Sequence, residues 1–137
     1  MQNFAVYINP AFSDKKSIYN LLEKLRNHSD VNFFSIDTIP DLPKELFKPL
    51  PKPANRKHID CILVFGGDGT ILKAKDLALL TGAPILGINL GYLGFLSESV
   101  LPEIASSIQN LKQGKYRLLQ RMLIECRLKR EGKIIYE

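Results

Sequence analysis

Cysteine is scarce: Cys61 and Cys126 stand alone, without CxxC spacing. A disulfide framework or cysteine-built metal site is not expected, and both thiols are expected to be reduced and buried. Long apolar runs are missing too. None approaches the ~18 residues that a membrane-spanning helix needs. The opening MQNFAVYINP also lacks the basic-then-apolar order of a signal peptide, so a cytoplasmic location is the expectation. Histidine is limited to His28 and His58. Neither has an elbow serine near it, which argues against Ser/His/Asp chemistry and leaves both as satisfied surface residues. Two familiar phosphate motifs are absent. GxxxxGK[ST] does not occur, and Leu72 stands where GxGxxG requires its third glycine.

The charge is moderate. Nineteen Lys+Arg against fourteen Asp+Glu leave +5. Such an excess favours anionic partners without choosing among nucleic acid, phosphorylated metabolites and plain solubility. The basic residues cluster only at Arg127, Lys129, Arg130 and Lys133, with no interleaved aromatics, which argues against nucleic acid.

What is present is a globular α/β pattern. The chain has 137 residues, 45% of them hydrophobic and 24% charged, which is ordinary usage for one domain with its own core. Phe4 to Ile8 reads as a buried strand closed by the turn dipeptide Asn9-Pro10. Ile18, Leu21, Leu22 and Leu25 form the stripe of an amphipathic helix over 14–28. Val31 to Ile36 is strand-like. Pro40 to Pro53 holds five of the eight prolines and reads as a loop or flap, because proline cannot donate to a ladder. Ile59 to Phe65 is a near-continuous apolar run, as in a strand buried on both faces of a parallel sheet. A helix is expected from Ile71 to Leu80, stopped by Gly82, then a strand from Pro84 to Asn89 and a helix over 100–112 stopped by Gly114. The repetition predicts a parallel sheet with helices on both faces and right-handed crossovers. Tyr116 to Leu128 and Ile134 to Tyr136 read as strands around a turn at 130–133. The expected division is an α/β domain over 1–113 and, over 114–137, the first strands of a β-rich domain.

Two stretches carry candidate chemistry. The first is the strand-to-helix turn Gly66-Gly67-Asp68-Gly69-Thr70. Ligands of open α/β sheets bind outside the carboxyl ends of strands, and glycines let the backbone approach a phosphate. A carboxylate among those amides repels phosphate unless proton transfer or a divalent cation explains it. Asp68 is therefore a candidate to accept a proton from an attacking hydroxyl or to organise a cation. The alternative is a glycine turn whose Asp caps the helix. The second stretch is Gly87-Ile88-Asn89-Leu90-Gly91-Tyr92-Leu93-Gly94-Phe95-Leu96. Its glycines and aromatics suit nucleobase stacking; the alternative is a tight turn with Phe95 and Leu96 in the core.

Together, at a separation of 17 residues from Thr70 to Gly87, these motifs resemble the NAD kinase family. GGDGT by itself is shared with diacylglycerol and sphingosine kinases, and the second motif narrows the resemblance. Asn9-Pro10 and Tyr116 to Arg121 resemble the family more weakly. The resemblance implies transfer of the γ-phosphoryl of ATP, or of polyphosphate, to the 2′-hydroxyl of the adenosine ribose of NAD, giving NADP. It implies Asp68 as catalytic proton acceptor, with Gly69, Lys73 and Phe95 beside the dinucleotide and the backbone of Gly66, Gly67 and Thr70 at the phosphates. It also implies magnesium carried by ATP rather than by a protein cage, and a homo-oligomer. The family's Asn-Glu or Asn-Asp motif and its Gly- and Thr-rich nucleotide segment fall beyond Glu137, so the 137 residues are expected to be inactive alone. A diacylglycerol-type lipid kinase and a non-catalytic dinucleotide-binding module are the alternative readings.

Overall fold

The computed structural model describes residues 1–36, 43, 45–52, 58–91, 96 and 99–136, apart from the side chains of 135 and 136. Six parallel strands form one sheet: β1 (Asn3–Ile8), β2 (Asn32–Ser35), β3 (Phe47–Pro49), β4 (Cys61–Phe65), β5 (Ile85–Asn89) and β6 (Ser99–Val100), in the order β3-β2-β1-β4-β5-β6. β1 and β4 are central, and their apolar runs are explained by burial on both faces. Phe4, Val6, Ile8, Leu63 and Phe65 belong to one core, covered by Ile18 and Leu22 of α1 (Lys15–His28) and Ile104, Ile108 and Leu111 of α4 (Ile104–Lys112). Ala5, Tyr7, Ile62 and Val64 belong to the other, with Ile71 of α2 (Asp68–Lys73) and the following Ala74. Helices thus cover both faces, as expected. Each fully buried Leu, Ile or Phe contributes about 1.5–3 kcal/mol relative to exposure.

Local chemistry sets the helix limits. The Asp14 carboxylate accepts from the Ser17 amide at 3.3 Å and its hydroxyl at 2.6 Å, capping α1. Gly82 ends α3 (Lys75–Thr81) in the left-handed conformation, with φ +69°. The single helix expected over 71–80 is in fact two, α2 and α3. It starts at Asp68, and the chain bends at Ala74 (φ −80°, ψ −8°). Ala74 is buried against the sheet, whereas Leu79 and Leu80 of α3 are exposed.

Other expectations need correction. The Pro40 to Pro53 loop contains a strand, β3, whose residues Phe47, Lys48 and Pro49 pair with Phe33, Phe34 and Ser35. Leu46 and Phe47 are buried, and Phe47 meets Tyr19 edge-on at 6.0 Å, so apolar burial outweighs the prolines. Pro49 is tolerated because β3 is an edge strand. Residues 37–42, 44 and 53–57 lie outside the described residues. The long strand from Tyr116 is not formed. Residues 115–127 have no regular secondary structure and are exposed, because an extended segment without a ladder partner gains no pairing. Only β7 (Leu128–Arg130) and β8 (Lys133–Tyr136) pair, antiparallel, around Glu131 and Gly132 at positive φ, the turn geometry that matches strand twist. His28 is exposed, as expected. His58 instead has Nδ1 buried with no hydrogen-bond partner among the described residues. Its neighbour Ile59, just before β4, is fully buried.

The two thiols also differ. Cys61 is buried and Cys126 is exposed, contrary to the expectation that both are buried, because 126 lies in the unpaired segment. Burial pushes the Cys61 thiol up from 9.0 to about 12. An unfolded chain ionises this thiol first as pH rises. Its contribution is therefore intact below pH 9 and is lost toward about 12, at up to about 1.4 kcal/mol per pH unit. In native protein at pH 8, a thiol reagent is expected to modify Cys126 at once and Cys61 only after denaturant is added. Two fast-reacting thiols in the folded chain would contradict this placement.

Candidate functional site

The strand order places a switch point between β1 and β4. From β1 the chain crosses to β2 on one side, whereas β4 and its successor β5 lie on the other. Connections leaving the carboxyl ends of β1 and β4 diverge there and leave a crevice, where ligands of open α/β sheets bind. Backbone bonds extend the ladder past the strand ends and keep those ends level. The Asn9 amide donates to the Phe65 carbonyl at 2.8 Å, and the Gly66 amide to that of Ile88 at 2.9 Å.

Two asparagines shape the rim. Asn9 Oδ1 accepts from the Ala11 amide at 3.1 Å, and Asn89 Oδ1 from the Gly91 amide at 2.8 Å. Gly91 has φ +143°, a conformation side chains disfavour. Between these turns lies a cavity of about 220 Å³ lined by Asn9, Phe12, Gly66, Gly67, Asn89 and Gly91, among others.

The glycine turn continues into α2. Gly67 is the N-cap, and no side chain caps this helix. The Asp68 carboxylate is the first helical residue rather than the cap. Its Oδ1 accepts the Leu96 amide at 3.0 Å, across 28 residues of sequence. The two motifs therefore meet at this carboxylate. Thr70 is buried and Gly69 is exposed on the first turn. Lys73 is exposed in the last turn. Leu96 packs partly against the second core, as the tight-turn reading expects of it. Phe95, with the rest of 92–95, lies outside the described residues.

Sequence reasoning named the glycines and Asp68 but missed Phe12 and gave Asn9 no role beyond a turn and a weak family likeness. The available signal was a polar residue ending an apolar buried strand, which Asn9 and Asn89 share. Among the described residues no three His, Cys, Asp or Glu side chains gather as a metal site, and no helix is long and apolar enough to cross a membrane.

Comparison with known proteins converges on one family. The ATP-NAD kinase N-terminal domain matches residues 43–116, more than half of the chain. An NAD kinase of Heliobacterium modesticaldum is 41% identical over 85 residues, covering 61% of this chain and 30% of that protein. One from Clostridium beijerinckii is 34% identical over 136 residues, covering 93% of this chain and 43% of that protein. The crystal structure of yeast NADH kinase complexed with NADH superposes with a TM-score of 0.58 at 25% identity, covering 84% of this chain and 39% of that one. The chain spans less than half the length of these relatives. A parallel sheet with its glycine turn at the switch point, a second motif held to that turn through Asp68, and a family match across both motifs agree: the chain belongs to the ATP-NAD kinase family.

Proposed function

We propose that the protein carrying this chain is an NAD kinase, which transfers the γ-phosphoryl of ATP, or of a polyphosphate, to the 2′-hydroxyl of the adenosine ribose of NAD and yields NADP in the cytoplasm. The observation that carries this reading is the bond from the Leu96 amide to Asp68 Oδ1, which joins the two motifs at one carboxylate. Phosphoryl transfer rests on positioning and charge stabilisation, with a carboxylate orienting or deprotonating the attacking hydroxyl. Asp68 takes that proton. The backbone at Gly69 approaches the ribose, Lys73 reaches toward phosphate from the exposed face of α2, and Phe95 packs on the bound nucleotide. Gly66, Gly67 and Thr70 shape the turn at the phosphates.

Magnesium fits this donor set without a protein cage, since it keeps phosphate oxygens and waters as ligands and needs one or two carboxylates at most. When bound, it supplies charge neutralisation on the donor's phosphates. In this reading a β-rich domain of the complete protein supplies the remaining substrate contacts and the contacts between copies in a homo-oligomer.

The test compares two proteins. The complete protein with ATP, magnesium and NAD is expected to form NADP steadily, whereas residues 1–137 alone bind NAD weakly without turnover. Steady NADP production by the 137-residue chain would overturn the second expectation. Failure of the complete protein to form NADP would overturn the first.

A further inference from the structure

We propose that Leu96 is a positioning residue for the phosphoryl transfer. Its half-buried side chain anchors a backbone amide, and that amide aims the Asp68 carboxylate at the incoming hydroxyl. The inference rests on the reading of Asp68 as proton acceptor and adds what holds that group in place.

A carboxylate in the first turn of a helix ordinarily turns back to that helix, whose first N–H groups have no intrahelical partners. α2 has no side-chain cap bond of this kind. Asp68 Oδ1 instead accepts the Leu96 amide at 3.0 Å, from 28 residues away and in a half-buried setting. A hydrogen bond to an ionised acceptor is of the stronger kind, and partial burial strengthens it further. The bond has a specific consequence for geometry. The terminal torsion of an Asp side chain is broad and roughly two-fold, so the carboxylate plane turns easily until a fixed donor selects one orientation.

A donor can aim the carboxylate only if it is itself held. The Leu96 side chain packs against the second core, whose Ala5, Ile62 and Val64 are fully buried in β1 and β4. Ile71 of α2 belongs to that same core. The helix that carries Asp68 and the residue that aims it therefore rest on one face of the sheet. Proton transfer needs such a shared support, because a misplacement of about 1 Å costs about 10²-fold in rate. Packing alone explains the burial of the Leu96 side chain. It does not explain why the Leu96 amide points at the carboxylate of the other motif.

The test measures kcat and the KM values for NAD and ATP in the complete protein, with Tm alongside. It compares the wild type with Leu96→Ala, Leu96→Met, Asp68→Asn and the double variant Asp68→Asn/Leu96→Ala. Leu96→Ala keeps the amide but loses its anchor. It is expected to lower kcat by about 10–10²-fold while both KM values stay within about threefold. Leu96→Met conserves volume and should restore kcat. In the Asp68→Asn background, Leu96→Ala should cost little further kcat, because no base remains to be aimed; non-additivity of this kind marks residues that act through one another. A purely structural Leu96 would lower Tm and leave the kcat of the folded enzyme unchanged. If Leu96→Ala does not fold, the smaller truncation Leu96→Val decides by the same pattern. An unaltered kcat, a loss confined to KM, or an equal loss in the Asp68→Asn background overturns the proposal. The two possible failures read differently. A low kcat for Asp68→Asn with an unimpaired Leu96→Ala retires the role of Leu96 alone, whereas a wild-type kcat for Asp68→Asn retires the proton-acceptor reading and this proposal with it.

Discussion

Replacing Asp68 by Asn is expected to lower kcat of the complete protein by about 10²–10⁴-fold, the usual contribution of a positioned general base. A secondary hydroxyl is a poor nucleophile at neutral pH, and in the proposed reaction the carboxylate removes its proton as the phosphoryl group arrives. Asn keeps the size of Asp and an oxygen that can accept the Leu96 amide, now bonded at 3.0 Å. The fold around the turn is therefore retained. The capping alternative makes a different forecast, because Asn caps as well as Asp, but α2 has Gly67 as its N-cap and no side-chain cap bond. NAD binding should survive and tighten slightly as repulsion with phosphate is relieved. The measurements are kcat, NAD affinity and Tm at saturating ATP and magnesium. A variant within about threefold of the wild-type kcat, far short of the expected loss, would sink the general-base assignment.

The glycines of the same turn are expected to separate into two kinds. A Cβ on Gly66 would lie 2.5 Å from Thr70 Oγ1, 2.7 Å from its Cβ and 2.9 Å from its Cγ2. Thr70 is only 8% exposed and lies in the first turn of α2, its amide bonded to the Gly67 carbonyl, so it cannot step aside. Gly66→Ala should therefore destabilise by about 1–3 kcal/mol, the range for overpacking a filled site. Thr70→Gly in the same chain should recover part of that loss. A Cβ on Gly69 meets nothing within 4 Å, and Gly69 lies inside α2, where alanine is favoured by roughly 0.5–1 kcal/mol. Gly69→Ala should thus raise stability slightly. If the dinucleotide approaches this backbone as proposed, the same change should weaken NAD binding. Urea midpoints and NAD titrations of both variants check this. A Gly69→Ala protein with unaltered NAD affinity would remove Gly69 from the dinucleotide site, and a stable Gly66→Ala protein would refute the steric account.

Much of this molecule was legible from one dimension of information. The apolar runs at Phe4 to Ile8 and Ile59 to Phe65 declare buried central strands, because only a strand covered on both faces dispenses with alternation. The stripe at Ile18, Leu21, Leu22 and Leu25 and the stops at Gly82 and Gly114 are local signals, and the helices end where they indicate. The Pro40 to Pro53 stretch was misread for the opposite reason. Local proline content suggested a loop, whereas burial of Leu46 and Phe47 beside Tyr19, far away in sequence, makes a strand of 47–49. Residues 116–127 show the converse, strand propensity with no ladder partner among the described residues.

The sequence alone determined the alternating α/β plan, the glycine turn with its carboxylate and the family, because periodicity, turn chemistry and motif spacing are properties of neighbouring residues. Only the tertiary structure decided the strand order, and with it the crevice between β1 and β4. It alone brought Asn9, Gly66 and Asn89 around one cavity, turned Asp68 toward Leu96 instead of its own helix end, and set Lys15 on the carbonyls of Pro10 and Phe12. Each of these depends on which strands lie side by side. That choice follows from burying two apolar faces at once and is written in no local stretch of the chain.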